Sequence, residues 1–355
     1  MKKKIALFQN DLSVGGIQKS LVNLLQNFDY ERFDVDLYLS ERSDFWDVTF
    51  PAGVTVRYLE PVPRLWSFLP FDLGSKAVRF SFPAGLRYDL AADFNSYQFS
   101  CAAACLQAPA RRRVMWIHND VGVKYRNEWK YRVLWRAFRG KLRHFDGFVP
   151  VSRALIAPFE RLSGVTDKPF TVIPNYIDVK QIRQKAAEEP AGLSLSADCL
   201  NFVALGRLCH QKGYDIMLEA FAAACRTRRD LRLYILGDGP DRISLEQQAR
   251  DLGLGAVVTF LGNQPNPYAY MARMDAFVST SRYEGQPLNI MEARAVGLPL
   301  YCTKNLEAYS EDLRGYEDIA AALAGARKEP KRPDSLEAYN RKILDAVAAL
   351  AGEKS

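Results

Sequence analysis

The feature that most constrains the fold of this chain is an alternation between short apolar runs and segments with the 3.6-residue period of amphipathic helices. This alternation is typical of βαβ units, in which parallel strands form a sheet with helices on both faces. The apolar runs fall into two series. We therefore predict an α/β chain with two Rossmann-like domains. A length of 355 residues with 48% hydrophobic side chains agrees with two cores, because single cores stop growing near about 250–300 residues.

The apolar runs also predict where the strands and the domain boundary lie. The predicted strands are residues 4–8, 33–39, 89–94, 113–117, 147–151, 202–205, 231–236, 257–261, 276–279 and 300–302. Helices are predicted between them, for example at 214–225 and 290–295. A polar stretch from Ile173 to about Ala197 is the predicted crossover. The predicted domains are 1–178 and 179–332, followed by a helix within 333–355 that packs back toward the N-terminal domain.

Charge and cysteine content narrow the cellular setting. Residues 1–180 hold 26 basic and 18 acidic side chains, against 22 and 23 in the remainder, so the net charge of +7 belongs to the N-terminal half. Six cysteines without a Cys-x-x-Cys pair, together with three histidines, give no disulfide framework and no metal site. No run approaches the about 18–20 apolar residues of a spanning helix. We expect a reduced, cytoplasmic chain without a transmembrane segment.

Two strand ends in the second half carry side chains suited to an anionic ligand. Arg207 and Lys212 follow the strand at 202–205, and parallel sheets bind ligands at the carboxyl ends of their strands. A guanidinium and an ammonium group at this spacing can hold one diphosphate, and two solvated charges are the equally weighted alternative. In the segment 281–293, Glu284 ends a strand and Pro287 suits the first turn of a helix, whose free N–H groups can bind phosphate or sugar oxygen. Glu292 follows just over one helical turn later, close enough to hydrogen-bond the vicinal hydroxyls of a ligand.

Three other motifs resemble known ligand-binding motifs, but a structural interpretation is favoured for each of them. Gly15-Gly16 sits where the first strand gives way to a helix, but a lone Gly-Gly pair favours a tight loop, and the Walker spacing is absent. Gly237 does not begin a dinucleotide fingerprint, because Arg242 occupies the third glycine position. Asp34-Val35-Asp36 resembles a metal-chelating pair, yet it opens an alternating strand, so solvated strand entry is favoured and no required metal is predicted.

The N-terminal half carries a candidate ligand histidine and a basic surface. His118 ends the strand at 113–117, where a ligand contact or a proton relay is plausible beside a structural role. Residues 111–143 hold eleven basic and two acidic side chains interleaved with aromatics, which fits an anionic membrane surface better than nucleic acid, since no nucleic-acid module is recognisable. A solvated helix with inward aromatics is the alternative. The predicted surface comprises Arg111, Arg112, Lys124, Arg126, Trp129, Lys130, Arg132, Trp135 and Arg136.

Taken in order, these motifs resemble those of glycosyltransferase family 4, retaining enzymes of the GT-B fold, in which two Rossmann-like domains face each other across a cleft. The matching segments are Gly15-Gly16, Gly206-Arg207-Leu208, Gln211-Lys212-Gly213, Gly237-Asp238-Gly239, Phe260-Leu261-Gly262, Glu284-Gly285 and Glu292-Ala293. The resemblance covers roughly residues 4–305 and looks most like the bacterial capsule, O-antigen and exopolysaccharide enzymes. After Pro299 the sequence departs from the family pattern.

The resemblance implies a role for each matching residue. Arg207 and Lys212 would hold the donor diphosphate, Glu284 the sugar hydroxyls and Glu292 the ribose, while His118 would lie near the reacting sugar. The donor-binding set would be Gly15, Gly16, Gly206, Gly237, Gly262, Asn263, Gln264, Gly285, Gln286, Pro287, Leu288, Asn289 and Glu292. The implied donor is a nucleotide sugar, a UDP-sugar, and the resemblance implies no required cofactor.

The implied function is sugar transfer to a lipid-linked saccharide by a protein held peripherally at the inner face of the cell membrane. A nucleotide-sugar epimerase or hydrolase of the same fold is the alternative, since fold does not fix reaction. A catalytically silent binding protein is disfavoured, because both cations and both glutamates are present.

Overall fold

In the computed structural model, the apolar runs of both series form parallel strands, as expected of segments that are apolar on both faces. The structure describes residues 2–13, 15–42, 48–63, 66, 69–310 and 312–352. It divides the chain into two units: unit 1 contains residues 1–176 and 337–355, and unit 2 contains residues 177–336. Each unit contains one parallel sheet with flanking helices, so the predicted α/β fold with two Rossmann-like sheets is confirmed.

Unit 1 is built on a six-stranded sheet. Its strands are β1 (Lys3–Gln9), β2 (Phe33–Leu39), β3 (Val54–Tyr58), β4 (Tyr88–Asp93), β5 (Ala110–Ile117) and β6 (Gly147–Pro150). Its helices are α1 (Gly16–Gln26), α2 (Phe71–Ala77), α3 (Phe99–Gln107), α4 (Val121–Asn127), α5 (Trp129–Phe138) and α6 (Ile156–Ser163). The spatial order is β3-β2-β1-β4-β5-β6, and all neighbouring strands are parallel. The strand order therefore reverses between β1 and β4.

Unit 2 contains a five-stranded sheet. Its helices are α7 (Val179–Ala186), α8 (Tyr214–Ala224), α9 (Arg242–Asp251), α10 (Pro267–Met271), α11 (Leu288–Val296) and α12 (Ile319–Gly325). Its strands are β7 (Leu200–Leu205), β8 (Leu231–Leu236), β9 (Val258–Gly262), β10 (Ala276–Ser279) and β11 (Leu300–Cys302). The spatial order is β11-β10-β7-β8-β9, again with parallel neighbours. Here the order reverses between β7 and β10.

The last helix, α13 (Glu337–Leu350), belongs to unit 1 although it follows unit 2 in sequence. The Tyr339 hydroxyl donates to the carbonyl of Asn175 at 3.0 Å. The Asn175 side-chain oxygen in turn accepts from Ser20 Oγ of α1 at 2.6 Å. These bonds tie α13 and α1 to the segment that ends the first part of unit 1. No helix in the described part of the chain combines the length and the apolarity needed to cross a membrane.

The interpretation of the Asp34-Val35-Asp36 motif as solvated strand entry holds for Asp34, whose side chain is 47% exposed, and is wrong for Asp36. Asp36 is buried in β2. Its carboxylate accepts from the hydroxyl of Tyr88 at 2.5 Å and lies 3.1 Å from Nε of Arg57. Because β2 is covered on both faces and β3 and β4 supply partners, this aspartate is satisfied inside the fold. It therefore has a structural role.

Candidate functional site

The candidate site of unit 2 lies at the reversal of its strand order. In open α/β sheets, ligands bind outside the carboxyl ends of the strands at such a reversal. The loop after β7 carries Arg207 and Lys212, and the loop after β10 carries Glu284. Since β7 and β10 are neighbours in the sheet, segments more than 70 residues apart in sequence meet at this edge.

Glycines allow the strand ends of unit 2 to pack closely beside the site. Gly206 and Gly237 have φ angles of 154° and 130°, which L side chains rarely adopt. A Cβ on Gly237 would lie 2.9 Å from the carbonyl carbon of Gly206, so only glycine fits without displacing backbone. The N–H of Gly237 donates to the carbonyl of Gly262 at 2.8 Å. Three of the predicted site glycines therefore form one layer of backbone at the ends of β7, β8 and β9.

The structure brings Lys212 and Glu284 into direct contact. Nζ of Lys212 lies 2.6 Å from Oε1 of Glu284, whose side chain is only 6% exposed. The side-chain amide of Gln211 donates to Oε2 of Glu284 at 3.4 Å and to the carbonyl of Tyr283 at 3.1 Å. Sequence reasoning named the first two residues but missed both their pairing and Gln211. The signal for Gln211 was its place beside Lys212 in the turn after β7.

Arg207 differs from Lys212 in having no protein partner. Its side chain is exposed, and it makes no hydrogen bond or ion pair with the residues that the structure describes. An unpaired guanidinium presents five N–H donors in a planar fork that matches phosphate oxygens. The loop after β7 thus offers one uncompensated cation and one cation neutralised by a carboxylate.

Helix α11 supplies backbone donors to the same edge of the sheet. It begins at Leu288 after Pro287 without a side-chain cap, so the N–H groups of Leu288 and Asn289 have no partner within the helix, whereas that of Ile290 donates to Oδ1 of Asn289 at 3.0 Å. Asn289 anchors this end of the helix, since its side-chain amide donates to the carbonyl of Leu205 at 2.7 Å. Glu292 is buried and accepts from the hydroxyl of Tyr268 at 3.2 Å. The predicted residues of this segment lie where an anion or a sugar hydroxyl would meet a helix N-terminus.

The predicted residues of the loop after β9 lie next to this layer. Gly262 ends β9 in a left-handed conformation with a φ of 71°, Asn263 is exposed, and the side chain of Gln264 donates to the carbonyl of Leu261 at 2.6 Å. The side chain of Gln264 is therefore used inside the loop.

Unit 1 places the other predicted residues at the ends of its own strands. Gly15 precedes α1, which begins at Gly16 without a side-chain cap or an acidic residue in its first turn. His118 follows β5, is buried, and shares a 2.9 Å hydrogen bond from Nε2 to the carbonyl of Phe94. Burial lowers the pKa of His118 to about 4, because the charged ring would lose its hydration. The imidazole is therefore neutral at pH 7, and if Nε2 donates, Nδ1 is left as an acceptor.

The predicted basic surface is only partly formed. Six of its members lie on α4 and α5 and are exposed or half-buried: Lys124, Arg126, Trp129, Lys130, Arg132 and Arg136. Trp129 is 65% exposed, and its neighbour one turn on, Val133, is 60% exposed. These two apolar side chains stand among cations on α5.

One member of that prediction, Trp135, is wrong, and two others lie on β5. Trp135 is buried and packs against Tyr131 and Phe159, because residues 131, 134 and 135 form the inward face of α5. Arg111 and Arg112 lie at the amino end of β5, about 20 Å along the strand from its carboxyl end at about 3.3 Å per residue. Arg111 pairs there with Asp89 at 3.6 Å. The members on α4 and α5 therefore form one exposed basic part of the predicted surface.

Within the described ranges, no group of three or more His, Cys, Asp or Glu side chains is arranged to hold a metal ion. The six cysteines are free, and burial raises the pKa of the Cys101 thiol to about 12.

Comparison with known families and proteins agrees with this layout. Residues 14–181 match the family described as Glycosyltransferase Family 4, and residues 188–347 match Glycosyl transferases group 1. The lipopolysaccharide core biosynthesis mannosyltransferase LpsB of Rhizobium meliloti is 29% identical over 208 residues, which are 57% of this chain and 56% of LpsB. A Campylobacter jejuni enzyme, named as an N-acetylgalactosaminyltransferase acting on an N-acetylgalactosamine-N,N'-diacetylbacillosaminyl-diphospho-undecaprenol, is 30% identical over 158 residues, or 44% of this chain and 41% of that protein.

The chain spans about half the length of the curated relatives it matches. Among solved structures, S. aureus TarM in complex with fondaparinux, alpha-GlcNAc-glycerol and UDP superposes with a TM-score of 0.70 at 13% identity, covering 99% of this chain and 100% of TarM. That likeness shows the fold. Because the two family matches together cover nearly the whole chain in the expected order, this protein has the two domains of a GT-B glycosyltransferase.

Proposed function

We propose that this protein is a retaining glycosyltransferase that moves a sugar from a UDP-sugar to a lipid-linked saccharide in bacterial surface polysaccharide synthesis. The observation that carries the proposal is that Arg207, which has no partner among the described residues, lies beside the Lys212–Glu284 pair at the strand-order reversal of unit 2. A diphosphate placed there would meet both cations and the free N–H groups of α11. The UDP named in the TarM complex supports this choice of donor.

The catalysis proposed for unit 2, where the donor would bind, is electrostatic. As the bond between the anomeric carbon and the donor phosphate breaks, negative charge grows on the departing diphosphate, and Arg207 and Lys212 stabilise it. The acceptor oxygen forms its bond to the anomeric carbon on the same face, and its proton passes to the leaving phosphate. Glu284 orients the donor sugar through its hydroxyls, and Glu292 holds the ribose. The backbone of residues 262–264 meets the base.

The lipid-linked acceptor is proposed from unit 1 and from one relative. The Campylobacter jejuni protein carries a diphospho-undecaprenol acceptor in its name. The exposed Trp129 and Val133, surrounded by Arg126, Lys130 and Arg132 on α4 and α5, suit the boundary between anionic headgroups and acyl chains. We therefore place the protein peripherally at the inner face of the cell membrane.

Release of UDP tests the reaction. The protein is incubated with UDP-sugars with and without a bacterial membrane lipid extract, and UDP is quantified. Acceptor-dependent release supports transfer, interconversion or hydrolysis of the sugar nucleotide without acceptor supports an epimerase or hydrolase, and UDP binding without turnover refutes an active enzyme. The anomeric configuration of the product, measured by NMR, decides between retention and inversion.

Vesicle flotation tests the membrane surface. With vesicles containing anionic lipid, Trp129→Ser combined with Val133→Ser should reduce the bound fraction several-fold. The matched control is Ile243→Ser, which removes another exposed apolar side chain, 82% exposed, from unit 2. Equal binding by both variants would contradict the proposed surface.

A further inference from the structure

Arg282 forms an unusually complete set of bonds for a residue that lies beside the site and was not predicted from the sequence. Its guanidinium donates Nη1 to Oδ1 of Asp215 at 2.7 Å and Nη2 to Oδ2 at 2.6 Å. Nη1 also donates to the carbonyl of His210 at 2.9 Å. Its backbone N–H donates to the carbonyl of Gln211 at 2.8 Å. One residue is therefore joined by four bonds to the segment 210–215.

The position of these bonds links the two loops that carry the charged site residues. Arg282 lies two residues before Glu284 in the loop after β10. Asp215 lies three residues after Lys212, in the first turn of α8. The ion pair of Arg282 with Asp215 therefore joins the same two segments of chain as the contact between Nζ of Lys212 and Oε1 of Glu284, which are 2.6 Å apart. From the other side, the side-chain amide of Asn305 donates to the carbonyls of Ser281 and Arg282 at 2.9 and 3.2 Å.

The geometry of this bidentate ion pair favours arginine over lysine at position 282. Two parallel N–H···O bonds between a guanidinium and a carboxylate fix an orientation as well as a distance, which a single ammonium bond cannot do. The Arg282 guanidinium holds the pKa of Asp215 below its usual range, and the carboxylate stays charged. The side chains of Arg282 and Asp215 are 26% and 42% exposed, so the pair is partly open to water. Its value for stability alone would be small.

We propose that Arg282, through its bidentate bond to Asp215, is a positioning residue that fixes Glu284 relative to Lys212 for the transfer reaction. The inference rests on the proposed function. The guanidinium of Arg282 bonds to His210 of the loop after β7 and to Asp215 of α8, so it acts through the segments it joins. Displacing a reacting group by about 1 Å can cost about 10²-fold in rate.

Kinetics of three variants test the proposal. Arg282→Lys keeps the charge and removes the fork, Asp215→Asn keeps the shape and removes the carboxylate, and the double variant combines them. We expect kcat to fall about 10- to 100-fold in each, while KM for the donor and the dissociation constant for UDP change less than about 5-fold. The double variant should lose little more than either single variant, because both act on one bond.

Arg228→Lys is the matched control. Arg228 also grips a carboxylate with two bonds, to Asp230 at 2.9 and 2.5 Å, but before the amino end of β8. It should leave kcat within about 2-fold. A kcat for Arg282→Lys that is as high as that of Arg228→Lys would overturn the proposal, as would an equal loss of UDP binding and kcat.

A readout that needs no turnover separates this proposal from the proposed function. Hydrogen exchange followed by mass spectrometry is measured on the free full-length protein. Arg282→Lys should exchange several-fold faster than wild type in the peptide covering 281–286, and Arg228→Lys should not. If wild type releases no UDP, the proposed function fails and this exchange result decides whether Arg282 orders the loop. Unchanged exchange at 281–286 in Arg282→Lys would overturn the inference in either case.

Discussion

Replacing Lys212 by methionine should destabilise the protein and remove most of its turnover, by two effects that can be separated. Lys212 is 20% exposed and Glu284 is 6% exposed, with 2.6 Å between Nζ and Oε1. Without the ammonium, the buried carboxylate keeps only Gln211 at 3.4 Å among its described partners. Removing one member of a buried ion pair costs about 3–5 kcal/mol. Because Lys212 is partly open to water, we expect a smaller cost than this, about 2–3 kcal/mol.

The double variant Lys212→Met with Glu284→Gln separates the two effects. Two neutral side chains of similar shape leave no buried charge, so most of the lost free energy of unfolding should return. Turnover should not return, because the charge that stabilises the departing diphosphate is still missing, a loss of about 10²-fold or more. At about 2–4 °C per kcal/mol, the single variant should lower Tm by about 4–12 °C.

The assay is urea denaturation followed by circular dichroism, paired with UDP release from a UDP-sugar. Lys304→Met is the control, since Lys304 pairs with Glu307 at 3.1 Å but is 49% exposed. It should change the free energy of unfolding by less than about 1 kcal/mol. A Lys212→Met protein as stable as wild type, or a double variant as unstable as the single one, would refute the reasoning that Glu284 is a desolvated charge held by Lys212.

Three other predictions concern single residues and metals. Arg207→Ala should lower turnover by about 10²-fold with little change in the free energy of unfolding, because the side chain is exposed, and near-wild-type rates would contradict its role at the diphosphate. Since the folded pKa of His118 is about 4, below the usual 6.5, its contribution to stability is present above about pH 6.5 and lost as the pH falls toward 4. Between pH 7 and 4.5, wild type should therefore lose about 2–3 kcal/mol more than His118→Gln in urea denaturation. EDTA should leave UDP release intact, and loss of activity that Mn²⁺ restores would show a metal requirement.

The strands were predictable because buried parallel strands are apolar on both faces. The ranges predicted for β2, β8, β10 and β11 agree with the structure to the residue. The edge strand β3 was missed, since Val56 and Tyr58 are 37% and 49% exposed and its apolar residues form no continuous run. A strand that is exposed on one side lacks the continuous apolar run from which the other strands were predicted.

The side-chain pairings at the site were not predictable in the same way. Lys212 and Glu284 were each placed at a strand end by motif, but their contact depends on β10 lying beside β7, and sequence order does not fix which strands are neighbours. The same holds for Arg282 and Asp215. On α5, a helical period placed aromatics on the helix without telling which face turns inward, so Trp129 and Trp135 were grouped together although one is exposed and the other buried.

The two strand-order reversals carry groups of different chemistry. This difference bears on which unit is proposed to bind the nucleotide and which the saccharide. In unit 2 the reversal carries Arg207 and Lys212, cations that suit a diphosphate. In unit 1 the carboxyl ends of β1 and β4 carry Gln9, whose buried side-chain amide has no hydrogen-bond partner among the described residues, and the acidic residues Asp11 and Asp93, the second 3.4 Å from Nζ of Lys141. Amide and carboxylate groups suit sugar hydroxyls better than phosphate. The chemistry of each unit alone therefore favours the nucleotide in unit 2 and a saccharide in unit 1.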